Sequence, residues 1–173
     1  SAVAAAVALA TGARVLTPPA LEFAGAADVI HFGDVIEHLT NLDASFDSAL
    51  KLLKPGGYVI AQGPLENNFT LFSRAVSLSR RIRPRPIYAP PYHVLLATAE
   101  GQRRFFDRHG LTEVSFKLSE EIWPAPSRLS LPIRSCGLFM LRKLSQTLSP
   151  WISKQAGNRY FYIGRMGTYP RVT

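Results

Sequence analysis

Ala27-Asp-Val-Ile-His-Phe-Gly-Asp-Val-Ile-Glu-His-Leu39, followed at a fixed distance by Leu53-Lys-Pro-Gly-Gly-Tyr-Val-Ile60, is the stretch that decides the fold. It opens with an apolar, β-branched run, Ala27 to Phe32, whose nearly unbroken hydrophobicity from Val29 to Phe32 predicts a strand covered on both faces. The chain then turns at Gly33-Asp34. Beyond the turn Phe46, Ala49, Leu50 and Leu53 recur at three- and four-residue spacing, which predicts an amphipathic helix from Asp43 to Leu53 with Asp43 as its cap. Lys54-Pro55-Gly56-Gly57 is expected to end that helix, because proline cannot continue the hydrogen-bond ladder and the paired glycines permit a sharp reversal into a strand, Tyr58 to Gln62. Strand, helix and strand in this order form a right-handed βαβ crossover, so the fold class is α/β.

Upstream, the alanines from Ala2 to Ala10 favour helix and Gly12 suits its end. Ser1 to Ala13 superficially resembles a signal segment but has neither an initiator Met nor a basic n-region. We read it as a surface helix entered part-way, where a natural chain rarely begins. Ala13 to Thr17 is a brief strand stopped by Pro18 and Pro19. Downstream, residues 64–97 read as an insertion between core elements, with a helix from Phe69 to Ile82 and a basic, proline-rich stretch from Ser79 to Pro86. Thr98 is placed to cap a helix running through Phe105 and Phe106 to His109, closed by Gly110, and Thr112 to Leu118 is a strand. Residues 123–150 form a connector and a helix, Ile133 to Leu148, with Leu138, Leu141, Leu144 and Leu148 on one face. Arg159 to Arg165 is the final strand.

The chain has 173 residues, the length of one ordinary domain, and its 47% apolar content excludes low-hydrophobicity disorder. No apolar stretch approaches the roughly 18 to 20 residues of a membrane-spanning helix. Cys136, the single cysteine, has no intramolecular disulfide partner. The formal charge of +8 would attract polyanions or an anionic membrane surface, but by itself it concerns solubility and weak association rather than chemistry. A soluble, cytoplasmic protein is expected.

The turn from Asp34 to Leu39 and the Lys54-Pro-Gly-Gly57 connection, at this spacing and after a strand, resemble the central part of class I S-adenosylmethionine-dependent methyltransferases. More narrowly, they are similar to the branch that includes ubiquinone-biosynthesis O-methyltransferases and small-RNA 3′-end methyltransferases. The resemblance runs from Gly12 to Leu118. It implies a Rossmann-like sheet, mostly parallel with an antiparallel last strand, and a cofactor lying across the carboxyl ends of the first four strands. On that pattern Ala13 to Thr17 is the third strand, Ala27 to Phe32 the fourth, Tyr58 to Gln62 the fifth, Thr112 to Leu118 the sixth and Arg159 to Arg165 the seventh. The first two strands are missing. The glycine-rich turn after the first and the acidic residue after the second are therefore expected upstream of Ser1, and residues 1–173 are read as a single partial domain that is inactive alone.

The resemblance implies that S-adenosylmethionine is the cofactor, contacted at its methionine end by Gly33, Asp34 and Val35 and beside its adenine by Thr17, Pro18 and Pro19. Open parallel sheets place ligands at the carboxyl ends of their strands, which supports the first group independently. Asp34, Glu37 and His38, with His93, form a set similar to the metal site of the RNA-methylating and some quinone-methylating relatives. We read Glu37 and His38 as hydrogen-bonding around the helix start and assign no metal, leaving a divalent ion as the lesser alternative. Methyl transfer is an in-line displacement that requires an aligned nucleophile and removal of its proton, and His38 and His93 are the candidate bases. His93 taken alone is equally a loop histidine. The arginines at 80, 81, 83 and 85 could meet a phosphate, a nucleic acid or a membrane, with Phe69, Leu71, Phe72 and Val76 as a lid. A solvated loop packed by its apolar side is preferred, since no aromatic residue interleaves with the arginines. The expected function is methyl transfer to a small-molecule acceptor at oxygen. The alternatives are a non-catalytic interaction module of the same fold and a nucleic-acid methyltransferase.

Overall fold

The computed structural model describes residues 10–12, 23–66, 70–82, 93–121, 133–154 and 156–168. The expected strand Ala13 to Thr17 lies outside them. Four described strands make one sheet: β1 (Ala27–Gly33), β2 (Leu53–Pro64), β3 (Leu111–Ser119) and β4 (Arg159–Met166), in the order β1-β2-β4-β3. β1 and β2 are parallel, with Phe32 opposite Ala61, and α1 (Leu42–Leu50) makes the crossover between them. β4 is antiparallel to both of its neighbours, as expected of the last strand. Because it runs backwards, its amino end shares an edge with the carboxyl ends of β1, β2 and β3.

One face of the sheet holds the core. Val59 and Ala61 of β2, Phe32 of β1 and Tyr160 and Tyr162 of β4 alternate inward and meet Phe46 of α1 and Phe105 and Phe106 of α3 (Ala99–Arg108). Phe46 is fully buried, with ring centroids of Phe32 and Phe105 at 5.0 and 4.8 Å. Beside it, buried His109 lies 2.7 Å from Asp47 and 3.0 Å from Asp43 through its two ring nitrogens, tying α3 to α1. The hydroxyl of Thr98 accepts from the Gly101 amide at 3.1 Å, confirming it as the cap of α3. The expectation that β1 is covered on both faces does not hold among the described residues: Val29 and His31 on its other face are exposed. The described helices that pack on the sheet, α1 and α3, bury side chains against the Phe32 face only.

Two local boundaries also differ. Asn41, not Asp43, is the residue at the amino end of α1; Asp43 sits in the first turn, where a negative charge suits the helix dipole, and pairs with Arg108. The helix stops at Leu50, and Leu53 already belongs to β2. Lys54-Pro-Gly-Gly57 is a bulge between the pairs Ala27↔Leu53 and Val29↔Tyr58. Gly56 takes φ +78°, and a Cβ on Gly57 would lie 2.9 Å from the Leu53 side chain and 3.0 Å from the Asp28 carbonyl oxygen. Both glycines are therefore dictated by backbone geometry.

The remaining helices, α2 (Leu71–Ile82) and α4 (Ile133–Ile152), pack on each other beside the shared strand edge. The first four amides of α2 are all satisfied. Ser149 Oγ accepts from Leu71 N at 3.0 Å, Ser145 Oγ from Phe72 N at 2.8 Å, Thr70 Oγ1 from Ser73 N at 3.1 Å and Thr70 O from Arg74 N at 3.0 Å. Helix α4 continues beyond the expected Leu148 and through Pro150, and its leucine face, Leu141, Leu144 and Leu148, is exposed. No helix among the described residues is long and apolar enough to cross a membrane.

Candidate active site at the carboxyl edge of the sheet

Gly33 ends β1, and Asp34 follows at φ +51°, the one described non-glycine residue in the left-handed region. Asparagine and aspartate bear that conformation best, but it still carries strain, and such strain is concentrated at functional turns. It is held there from two sides. The Asp34 amide donates to the Gln62 carbonyl at 3.0 Å, and its carboxylate accepts from Arg159 Nη2 at 2.6 Å. Val35 is exposed, and a single 3-10 turn, Ile36–His38, comes next.

That turn points Ile36 and Glu37 inward and His38 outward. The Glu37 carbonyl accepts from the amides of Val94 at 2.9 Å and Leu95 at 3.2 Å, which brings His93 to the turn from far along the chain. The rings of His38 and His93 stand 5.0 Å apart, both exposed. Glu37 is 5% exposed, and its Oε1 has no hydrogen-bond partner. Its other oxygen, Oε2, lies 3.3 Å from where a Gly63 Cβ would be, so the carboxylate reaches under β2 only because residue 63 has no side chain. Burial pushes the neighbouring Tyr160 phenol well above its usual range; the charges of Glu37 and Asp34 add to the shift and Arg159 opposes it. Tyr160 therefore keeps its phenol proton at this edge.

The expectation that Glu37 is used up in hydrogen bonds around the helix start is not met at Oε1. One ligand atom each from Glu37, His38 and His93 lie within 4.8 Å of one another, a donor set suited to a divalent ion. Asp34 stands outside this group, drawn to Arg159. A buried carboxylate with one oxygen unpartnered, in a cluster with two imidazoles, fits a metal ligand in its chemistry. Thr17, Pro18 and Pro19 lie outside the described residues.

Between α2 and α4 a cleft of about 310 Å³ opens on the same edge, lined by Phe72, Val76, Arg80, Glu120, Glu121 and Arg142 among others. Arg159 connects it to the turn, since its Nε lies 3.1 Å from Glu121 while its Nη2 holds Asp34.

The sequence profile of the methyltransferase-domain family matches residues 9–115, more than half of the chain. The chain belongs to this family. Solved structures agree at the level of fold. The methyltransferase-fold chain resembles a S-adenosylmethionine-dependent methyltransferase of Thermotoga maritima, described as a possible histamine N-methyltransferase, with a TM-score of 0.52 at 16% identity over 93% of this chain and 68% of the other. It also resembles the (4+2)-cyclase SpnF, with a TM-score of 0.52 at 14% identity, covering 97% of this chain and 62% of that one. A chain from the complex of the Haloferax volcanii Trm112 methyltransferase activator with its methyltransferase matches at 13% identity and a TM-score of 0.48, over 86% of this chain and 57% of that one. The chain thus spans less than two-thirds of two of these three proteins. No curated protein sequence matches it. What these comparisons establish is membership of the methyltransferase-domain family and a shared fold.

Sequence reasoning placed Gly33 to Val35 and the two histidines at this edge, and it missed Arg159, Tyr160 and Gly63. Their signal was the antiparallel last strand: its first residues must lie where the parallel strands end.

Proposed function

We propose that this chain forms the acceptor-facing part of a methyltransferase that methylates an oxygen of a small molecule, with His38 and His93 at the reacting centre. The observation that carries the reading is the paired imidazoles, 5.0 Å apart, with His38 on the turn that leaves the carboxyl end of β1 and His93 brought beside it. Residues 1–173 are taken as a single partial domain, with residues 64–97 inserted and residues 123–150 as connector and helix, and the α2–α4 cleft as the acceptor site. Thr17, Pro18 and Pro19 are assigned to the adenine, and the Gly33 to Val35 backbone to the methionine end.

S-adenosylmethionine supplies an electrophilic methyl group on a sulfonium. The residues of this chain do the rest. The Asp34 turn, fixed by Gln62 and Arg159, presents rigid backbone to the cofactor. The cleft would hold the acceptor hydroxyl toward the turn. One imidazole would accept the hydroxyl proton, leaving the oxygen as the nucleophile toward the methyl group that the cofactor supplies.

A second reading is favoured by the unpartnered Glu37 oxygen. Glu37, His38 and His93 would hold a divalent ion, whose chemistry there would be to bind acceptor oxygens and favour their ionised form.

The test, made on the complete natural protein that carries these residues, is transfer of a labelled methyl group to a panel of catechol, phenol and amine acceptors, with calorimetry of S-adenosylhomocysteine binding in parallel. His38→Ala and His93→Ala should each lower turnover by about 10²–10⁴-fold with product binding kept. Loss of activity in a chelator, restored by added metal, selects the second reading. Binding of S-adenosylhomocysteine without transfer to any acceptor would leave the chain a non-catalytic module.

A further inference from the structure

Helices α2 and α4 turn an apolar stripe to solvent. At 100° per residue, Met140, Trp151, Leu144, Leu148, Leu141 and Ile152 of α4 fall within one arc of roughly 120°. All six are exposed, Trp151 at 88% and Met140 at 62%. On α2 Leu78 and Ile82, 60% and 71% exposed, share an arc with half-buried Leu71 and Ala75. The cleft between the helices takes Phe72, Ser73, Val76, Ser77 and Arg80 from α2 and Arg142 from α4, and both stripes occupy arcs away from those residues.

The charges carried by the two helices themselves are of one sign. Neither helix contains an acidic residue, and all 12 Asp and Glu of the chain lie outside residues 67–99 and 122–173. Arg74 and Arg81 border the α2 stripe, Lys143 borders that of α4, and all three are exposed. A second copy of the chain is a poor occupant, because a symmetric contact would set two acid-free, basic helix pairs against each other. An anionic lipid surface meets both requirements. Its headgroups pair with the arginines, its acyl boundary receives the leucines, and an exposed tryptophan at the edge of such a stripe suits the interfacial zone. We propose that the outer faces of α2 and α4 dock this protein in the plane of an anionic membrane surface, without crossing it.

The test is flotation of the full chain with vesicles of phosphatidylcholine and with vesicles of phosphatidylcholine and phosphatidylglycerol. Binding to the mixed vesicles only, weakened by salt, is expected. Arg74→Gln with Arg81→Gln should weaken it roughly 25-fold, at about fivefold for each cation. Leu144→Glu with Leu148→Glu should abolish it while circular dichroism stays unchanged, as both side chains are solvent-facing. A second readout, in a Trp123→Phe background that leaves Trp151 as the single tryptophan, is quenching of its fluorescence by brominated lipid. Equal binding to neutral vesicles, no binding to either kind, or Trp151 fluorescence that brominated lipid leaves unquenched would overturn the proposal. So would a dimer in light scattering that the Leu→Glu pair dissociates and mixed vesicles do not compete with, or capture of the stripe by an acidic protein in preference to lipid.

Discussion

Glu37 lets the metal reading be tested without any knowledge of the acceptor. Its side chain is 5% exposed, and Oε1 has lost water without gaining a donor. A buried polar atom in that state costs about 1–3 kcal/mol. Methionine matches glutamate in length and carries no oxygen, so Glu37→Met should remove the cost and keep the contacts with Gly63 and Tyr160. For a domain of this length the gain corresponds to a rise in Tm of roughly 2–12 °C in chelator. With a divalent ion the order should reverse. At about 100 times Kd, an ion bound only by the folded state stabilises the wild-type chain by about 2.7 kcal/mol, and the variant has lost the buried ligand. Thermal unfolding followed by circular dichroism, in chelator and in graded magnesium, manganese and zinc, measures both signs. If Glu37→Met melts below wild type in chelator, the unpartnered oxygen is not a cost and the reasoning fails. If metal raises both proteins equally, the ion is bound elsewhere.

Phe46→Ala removes the ring that α1 places between Phe32, Phe105 and Phe106, and should cost about 3–5 kcal/mol in urea unfolding, the largest loss of any single truncation in α1. Gly57→Ala should destabilise by about 1–3 kcal/mol, because the new methyl meets the Asp28 carbonyl oxygen at 3.0 Å. Gly137→Ala, on an open face of α4 with nothing within 4 Å, should stabilise by up to about 1 kcal/mol in the same assay. The hydrogen bond from His109 holds the Asp43 carboxyl below its ordinary value of 3.8, with Arg108 adding to it. A carboxyl pKa lowered by folding stabilises above the unfolded value, and the contribution disappears as pH falls through the folded one. Urea midpoints of wild type and Asp43→Asn should therefore differ near neutrality and converge only as pH falls below 3.8 and through the lowered folded value.

What could be read from the sequence was what neighbours in the chain decide. The β-branched run at Val29-Ile30 and the Thr98 cap act within a few residues, and each sits where it was expected; the glycines at 56 and 57 redirect the chain as a bulge inside β2 rather than between helix and strand. The expected end of α1 failed because Pro55 was taken as a helix stop, whereas the register of β2 against Ala27 had already claimed Leu53. In the candidate site Asp34 and His38 were legible as residues of a turn. The Arg159 contact to Asp34 joins residues 125 apart and depends on β4 running antiparallel, which local pattern does not encode. The unsatisfied Glu37 oxygen depends in turn on Gly63 and Tyr160 arriving from two other strands.

Helix α4 shows the same limit in its sharpest form. Its leucines at 141, 144 and 148 share a face, and a periodic apolar face ordinarily packs inward. The structure turns it outward because a stronger demand orients the helix. Helix α2 begins with amides that no residue of its own turn satisfies at Leu71 and Phe72, and an unpartnered buried amide costs about as much as a buried leucine gains. Ser145 and Ser149, one turn apart and each 1% exposed, meet both amides, and Ser145 also donates to the Glu120 carboxylate at 2.9 Å. Once those serines face α2, the leucine arc must face away. If Ser145→Ala and Ser149→Ala together leave the leucines solvent-facing, measured by labelling of cysteines placed at 144 and 148, this account of the orientation is wrong. If the labelling falls as α4 rolls its apolar face inward, polar satisfaction at the start of α2 is what exposes the stripe.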